Sequence, residues 1–260
     1  MTWIVRYRTV PAPTVRLFCF PYAGGAASAY RGWASRFPAS VDVCAVQLPG
    51  RETRLREAPL PHMIPVVNAL LRALPLDDLP FAFFGHSMGA LIAFELTRAL
   101  RRERRPLPEA LIVSGARPPQ IPDPEPPTYN LPEPEFRAEL RRLGGTPTEI
   151  LDNEEMMAFI GRMLRADFAL CDTYVYSYDD PLDVPIIALA GTDDYKASPE
   201  QTAQWSLHTR ASFETRTFDG DHFYLQPREA EVTSLVARVL APSVVIHAQP
   251  PQQAYQNGAV

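Results

Sequence analysis

Short apolar runs alternate with longer stretches of helical periodicity along most of this chain. Residues Val15–Phe20 and Val41–Val46 read as strands, and so do 81–84, 110–113 and 185–189. Phe213–Phe218 is a weaker candidate. The runs at 81–84 and 110–113 are almost unbroken in apolar character, as expected for parallel strands covered on both faces. Helical patterns fill the intervals. After Ser87, the side chains of Ala93, Leu96, Ala99 and Leu100 fall on one side, with Arg98, Arg101 and Arg102 further along. Such alternation predicts right-handed βαβ units and a mostly parallel central sheet flanked by helices, the α/β class.

One segment breaks the rhythm. Residues 117–134 hold eight prolines, too many for a helix or a central strand. Two helical patterns follow, at 133–143 and from 153 to about 173. In the second, Met156, Met157, Ile160, Met163, Leu164 and Phe168 make an apolar face. This pattern predicts an insertion at about 118–180, a lid whose proline-rich entry and methionine-rich face suit a mobile cover over an apolar substrate. Met157 and Phe168 are expected to touch that substrate. The main domain then spans 1–241. Residues 242–260 turn polar and rich in proline and glutamine, and are expected to be a disordered tail.

Composition narrows the class without fixing the function. The chain has 260 residues, 46% hydrophobic and 21% charged, values that exclude a disordered chain, a collagen and a coiled coil. A formal net charge of −5 argues against a general nucleic-acid binder, which needs a cationic surface. Three cysteines without CxxC spacing suggest neither a disulfide framework nor a zinc site, and Cys19 and Cys44 read as buried thiols. The sequence opens without a basic segment leading into a long apolar stretch, and no apolar run reaches membrane-spanning length. The expectation is a cytoplasmic protein, away from membranes, with no metal.

Candidate chemistry begins at Gly85-His86-Ser87-Met88-Gly89, a match to G-x-S-x-G. The pentapeptide alone is weak, but here a strand run ends at Gly85 and a helical pattern starts at Ser87. That is the strand, sharp turn and helix of a nucleophile elbow. A serine so placed sits at a helix N-terminus, where free N–H groups favour developing negative charge.

A serine hydroxyl needs a histidine base, oriented in turn by a carboxylate. In α/β-hydrolases the chain order is serine, acid, histidine. Of five histidines, His62 precedes Ser87, His86 adjoins it, His208 lies near a helical stretch, and His247 falls in the tail. His222 remains, in a loop between a weak strand and a helix expected to start near Leu225. After the late strand stands Gly191-Thr192-Asp193-Asp194. Asp194 is preferred as the acid because it lies past the bend, with Asp193 the alternative. An oxyanion hole needs two backbone donors. Met88 supplies one. The loop Phe20-Pro21-Tyr22-Ala23-Gly24-Gly25 supplies the other, from Ala23 or Tyr22, with Ala23 preferred and Tyr22 placed to touch substrate. The paired glycines are expected to leave room for the substrate.

These motifs occur in a fixed order with two others, Gln47-Leu48-Pro49-Gly50-Arg51-Glu52-Thr53-Arg54 and Gly220-Asp221-His222-Phe223-Tyr224-Leu225. Together, and with Arg165-Ala166-Asp167-Phe168, they resemble the stand-alone type II thioesterases of polyketide and non-ribosomal peptide biosynthesis. The resemblance runs from about Trp3 to Leu240. It implies an α/β-hydrolase fold with a helical lid and a Ser87, His222, Asp194 triad. It also implies hydrolysis of thioesters on the phosphopantetheine arm of acyl or peptidyl carrier proteins, with no cofactor beyond the arm that the substrate brings. Such enzymes edit, releasing stalled or wrongly primed acyl groups. One departure is Asp221, where many relatives carry glycine. A soluble carboxylesterase acting on small oxygen esters would use the same triad and is the alternative. The chain is read as a monomer. The arginines at 98, 101, 102, 104 and 105 either complement a helix end or attract an acidic carrier, and Arg51 and Arg54 serve either such docking or a structural role near the entrance.

Overall fold

The computed structural model describes residues 2–248. Seven strands follow one another as β1 (Ile4–Val5), β2 (Val15–Phe20), β3 (Val41–Val46), β4 (Phe81–His86), β5 (Leu111–Ser114), β6 (Ile186–Gly191) and β7 (Phe213–Phe218). They form one sheet in the order β1-β3-β2-β4-β5-β6-β7. Only β1 runs antiparallel, against β3. All other pairings are parallel, so β2, β4, β5, β6 and β7 end at one edge of the sheet. The predicted strands are present, with β4 reaching two residues past 84 and β6 two past 189.

The apolar runs explain why the inner strands are inner. Every residue of β3, β4, β5 and β6 is buried. Alternate side chains serve opposite faces, the period-two rule of a strand. Phe18, Phe20 and Phe83 join one core with helices α1 (Met63–Ala73) and α2 (Met88–Arg102). Leu17, Cys19, Phe84 and Ile112 join the other, with Tyr30, Trp33, Val232 and Val236. At the edge, β7 alternates charge with threonine and is mostly exposed, which blunts pairing with other chains.

Between β5 and β6 the chain leaves the sheet through the proline-rich segment. It then forms α3 (Glu133–Leu143), α4 (Thr148–Leu151) and α5 (Glu154–Asp172). These helices carry a core of their own, in which Phe136, Leu140, Leu151, Met157, Met163 and Leu164 pack together. The methionine-rich face therefore closes onto α3 and α4 instead of facing a substrate, while Met156 stays exposed. After β6, the short α6 (Pro199–Thr202) leads into β7, and α7 (Glu229–Ala248) ends the description. The helix expected near Leu225 starts at Glu229, because residues 223–228 form tight turns that bury Tyr224 and Leu225. Helix α7 also continues to Ala248, beyond the expected boundary at 241. The rest of the expected tail, 249–260, lies outside the described residues. Among those described, no helix is long and apolar enough to cross a membrane.

Phe84 tests how firmly the α7 face is packed. Its ring lies 4.6 Å from that of Trp33 and 6.0 Å from that of Tyr30, with no solvent exposure. Phe84→Ala is expected to cost about 3–5 kcal/mol, seen as a lower urea midpoint at unchanged m-value. A loss below about 1 kcal/mol would contradict this packing.

Candidate active site

The turn from β4 into α2 is sterically determined. A Cβ on Gly85 would stand 2.1 Å from the Gly89 carbonyl oxygen, and one on Gly89 would stand 2.1 Å from the Phe20 carbonyl oxygen. Only hydrogen fits at either position. The chain between them turns so sharply that Ser87 adopts φ 53°, ψ −118°, a conformation that side chains disfavour. Such strain costs about 1–3 kcal/mol and persists only where the surroundings enforce it. Here the Ser87 N–H donates to the Ser114 carbonyl of β5 at 2.8 Å, while Gly85 of β4 lies against the first turn of α2 and Gly89 of α2 against the end of β2.

Two further loops leave the same sheet edge and bring their side chains to Ser87. The loop after β7 carries His222, whose Nε2 lies 3.0 Å from Ser87 Oγ. The loop after β6 carries Asp194, whose Oδ2 lies 2.9 Å from His222 Nδ1. With the Nδ1 proton donated to the carboxylate, Nε2 is left to accept the serine hydroxyl. Both His222 and Asp194 are buried. The other Asp194 oxygen accepts the N–H groups of Lys196 and Ala197 at 2.9 and 3.0 Å. Burial alone would raise the Asp194 carboxyl, but the hydrogen bond and charge of His222, with these two N–H groups, hold it below the usual carboxylate range. Asp193 instead accepts from Thr192 at the surface, and Asp221 takes the Phe223 N–H in a local turn.

His86, next to the serine, points away from it. Its Nδ1 lies 2.8 Å from Ser114 Oγ, which is 2.6 Å from the Tyr224 hydroxyl. Its ring lies 5.3 Å from that of His222. Complete burial, followed by the neighbouring charge of His222, pushes its pKa down to about 3. His86 is therefore a neutral support beneath the catalytic-type pair.

Ser87 and His222 open into a cavity of about 480 Å³. Tyr22, Ala23 and Met88 line it beside the serine. Phe168 contributes to its wall, together with Leu143, Tyr174 and Phe223. Met157 does not; it is 1% exposed inside the lid's own core. The sequence reading missed the rim, where Pro118, Pro119, Pro122 and Pro127 face the cavity. The proline density was the available signal, since such a segment is stiff and presents few backbone donors. Beyond the prolines the wall becomes charged: Arg117 pairs with Asp123 at 2.6 Å, and Lys196 with Glu125 and Glu139. Nor do the paired glycines leave space for substrate at Gly24. A Cβ there would meet Leu164 of the lid at 2.6 Å.

The basic cluster is largely consumed by internal contacts. Arg98 is buried against Glu95 and the Ser177 carbonyl. Arg101 reaches Asp179 at 2.8 Å and the Asp180 and Pro181 carbonyls, and Arg105 reaches Asp77 and the Leu71 carbonyl. Helix-end bracing accounts for these three. Arg54 grips the Gln47 carbonyl and Glu57 and lies 4.0 Å over the Trp3 ring. Among the described residues, no group of three or more His, Cys, Asp or Glu is arranged to hold a metal ion.

Comparison with known proteins places this geometry in a group. The family model described as "Thioesterase domain" matches residues 15–241. The gramicidin S biosynthesis protein GrsT of Aneurinibacillus migulanus is 41% identical over 247 residues, covering 93% of this chain and 96% of the relative. Among solved structures, the type II thioesterase BorB from the borrelidin biosynthetic cluster matches with a TM-score of 0.83 at 37% identity, covering 92% of this chain and 97% of its own. YbtT, the type II thioesterase of the yersiniabactin pathway, matches with a TM-score of 0.84 at 29% identity, covering 94% and 100%.

The depressed pKa of His86 has a measurable consequence. An unfolded chain protonates this ring near 6.5, the folded one only near 3. Between those values the unfolded state binds more protons. Stability is thus complete above pH 6.5 and falls toward pH 3, by up to about 1.4 kcal/mol per pH unit for one such group. His208, lowered to about 4 by burial and then by Arg98, adds in the same direction. Urea midpoints at pH 7.5 and pH 5 should therefore differ, and His86→Asn should shrink the difference. An identical difference in the variant would contradict a neutral buried His86.

Proposed function

The chain belongs to the thioesterase family, and from that premise we propose that it hydrolyses acyl groups from the phosphopantetheine arm of acyl or peptidyl carrier proteins. It does so through Ser87, His222 and Asp194, and removes stalled or aberrant units. The observation that carries the reading is the unbroken hydrogen-bonded row from Asp194 through His222 to Ser87 Oγ at the floor of one cavity.

Ser87 Oγ attacks the thioester carbonyl carbon while His222 Nε2 takes the hydroxyl proton. Asp194 stays ionised and stabilises the imidazolium that forms. The carbonyl oxygen becomes an oxyanion, met by the backbone N–H groups of Met88 and Ala23. The C–S bond then breaks and the pantetheine sulfur leaves, taking the proton from His222. A thiol pKa near 8.5 makes this departure easier than that of an alkoxide. Water attacks the acyl-enzyme next, giving its proton to His222. Collapse of that adduct returns the proton to Ser87 Oγ and frees the carboxylic acid. These steps run on the chain's own side chains, and the prosthetic arm arrives with the substrate.

The long, thin arm suits an entrance framed by prolines and by Phe168 and Leu143. The apolar wall favours an acyl chain, and the Lys196 and Arg117 pairs sit further along the same cavity. The relatives and solved neighbours named for gramicidin S, borrelidin and yersiniabactin biosynthesis support a carrier-protein partner. We read the chain as a cytoplasmic monomer that meets its carrier in solution.

Ser87→Ala should reduce kcat/KM by about 10³-fold or more and abolish labelling by a fluorophosphonate. Retention of wild-type turnover would remove Ser87 from the mechanism. In a second test, one acyl group is presented on carrier-protein pantetheine and as a small oxygen ester. The carrier thioester should have the higher kcat/KM, by about tenfold or more. The opposite ranking would make the chain a carboxylesterase.

A further inference from the structure

The loop that carries Ala23 is held just past that residue, at Gly24, Gly25 and Ala27, by residues outside it. From the sheet side, the Gln47 side chain accepts the Ala27 N–H at 2.9 Å and donates to the Arg51 carbonyl at 3.0 Å. From the lid side, Asp167 of α5 accepts the Gly24 N–H at 2.8 Å. Arg51 joins the two. Its guanidinium forks onto Asp167 at 2.6 and 2.8 Å, and one of the same nitrogens donates to the Gly25 carbonyl at 2.7 Å. The pair is almost wholly buried, Arg51 at 5% and Asp167 at 2% exposure.

The same face of α5 supplies a steric partner. Gly24 has φ 81°, in the left-handed region that favours glycine, and Leu164, one turn before Asp167, fills the space where its Cβ would be. The loop can take this shape against α5 only with glycine there. Its amide is then received by a carboxylate that belongs to the lid. Gly24 N shares a peptide plane with the Ala23 carbonyl and Cα, so fixing that amide fixes the plane next to the one that carries the Ala23 N–H.

We propose that Asp167 and Arg51 are positioning residues for the oxyanion hole. Seating of lid helix α5 on the loop places Ala23 for catalysis, and lifting of the helix releases it. The proposal rests on the serine thioesterase reading above. It couples cover to chemistry: with the lid displaced, a serine and histidine still in register lack their second oxyanion donor. Hydrolysis then proceeds only once the acyl group is enclosed. The family motifs around Arg51 and Asp167, distant in sequence, thereby become two halves of one contact.

A buried ion pair can also be simply structural, so the test must separate the two roles. Asp167→Ala leaves Arg51 buried without its partner and is expected to destabilise the fold. The informative variant is therefore Arg51→Met/Asp167→Leu in the full chain, which replaces the pair with apolar volume and restores packing without restoring an acceptor for Gly24. Turnover is counted per labelled serine. The double variant should regain most of the wild-type melting temperature yet keep kcat about 10- to 100-fold low, with KM within about threefold. Affinity for an alkyl boronic acid, whose serine adduct places an oxygen in the oxyanion hole, should fall by a similar factor. Asp167→Asn, which keeps an oxygen for the Gly24 N–H, should recover part of both losses. If kcat returns together with the melting temperature in the double variant, or if boronate affinity stays at the wild-type value, the proposal is overturned. Failure of the underlying reading looks different: wild-type turnover would then survive Ser87→Ala.

Discussion

Nothing larger than hydrogen fits where the start of α2 meets the end of β2. Gly89 lies against the Phe20 carbonyl, and that oxygen also accepts the Tyr30 hydroxyl at 2.6 Å. The crossing is therefore fixed from the α2 side by sterics and from the opposite face by a buried hydrogen bond. Ser87 has to pass through the gap, and its unfavourable backbone angles follow. Strain of about 1–3 kcal/mol is small beside what the flanking elements bury. Phe18, Phe20, Phe83, Ile92 and Phe94 are all fully or nearly fully buried around the junction, and each such side chain contributes about 1.5–3 kcal/mol. The cores on the two faces of the sheet thus hold one serine in a conformation that it would not choose.

A parallel sheet does the rest. Strands that all run one way deliver their C-terminal loops to one edge, so Asp194 and His222 can reach Ser87 although they are far away in the chain. This is why so much of the site could be read from sequence. Unbroken apolar runs identified the inner strands. Their order then limited the acid and the base to loops after late strands, and the bend at Gly191 favoured Asp194 over Asp193. What stayed hidden was which surface covers which. The periodicity of α5 shows that Met157 and Met163 face something apolar, but a helix's own pattern is indifferent to whether that partner is a substrate or α3. Here α3 and α4 complete a small core, so the methionines are structural and the proline rim lines the cavity instead. The same ambiguity applies to Gly24, whose missing side chain makes room for Leu164. It applies also to the arginines of α2, whose partners at 177–181 lie at the far end of the insertion in sequence.

Charge around the site is arranged by depth. The deepest imidazole, His86, is kept neutral by burial, so it places no second positive charge beside His222 as that ring takes a proton. The one buried carboxylate in the row, Asp194, is held ionised by three donors. In the proposed mechanism, where His222 takes the serine proton, the ring has a neutral support below it and an anion behind it.

The lid touches the catalytic loops through charge at two places of different character. Lys196, two residues past Asp194, pairs with Glu125 and Glu139 in a partly buried group at the cavity wall. Arg51 and Asp167 are enclosed. Enclosed pairs seldom stabilise a fold more than apolar side chains of the same volume would, because the desolvation of both ions offsets their attraction. What they supply is geometry: a forked guanidinium and a carboxylate tolerate little displacement. Helices α3, α4 and the first part of α5 keep a core of their own, while Leu170 anchors the end of α5 in the domain's core, so the register of the rest of the insertion on the domain rests on a few directional contacts. Among the described residues, the pair that also holds the Gly24 amide is the contact of this kind that reaches the Ala23 loop directly.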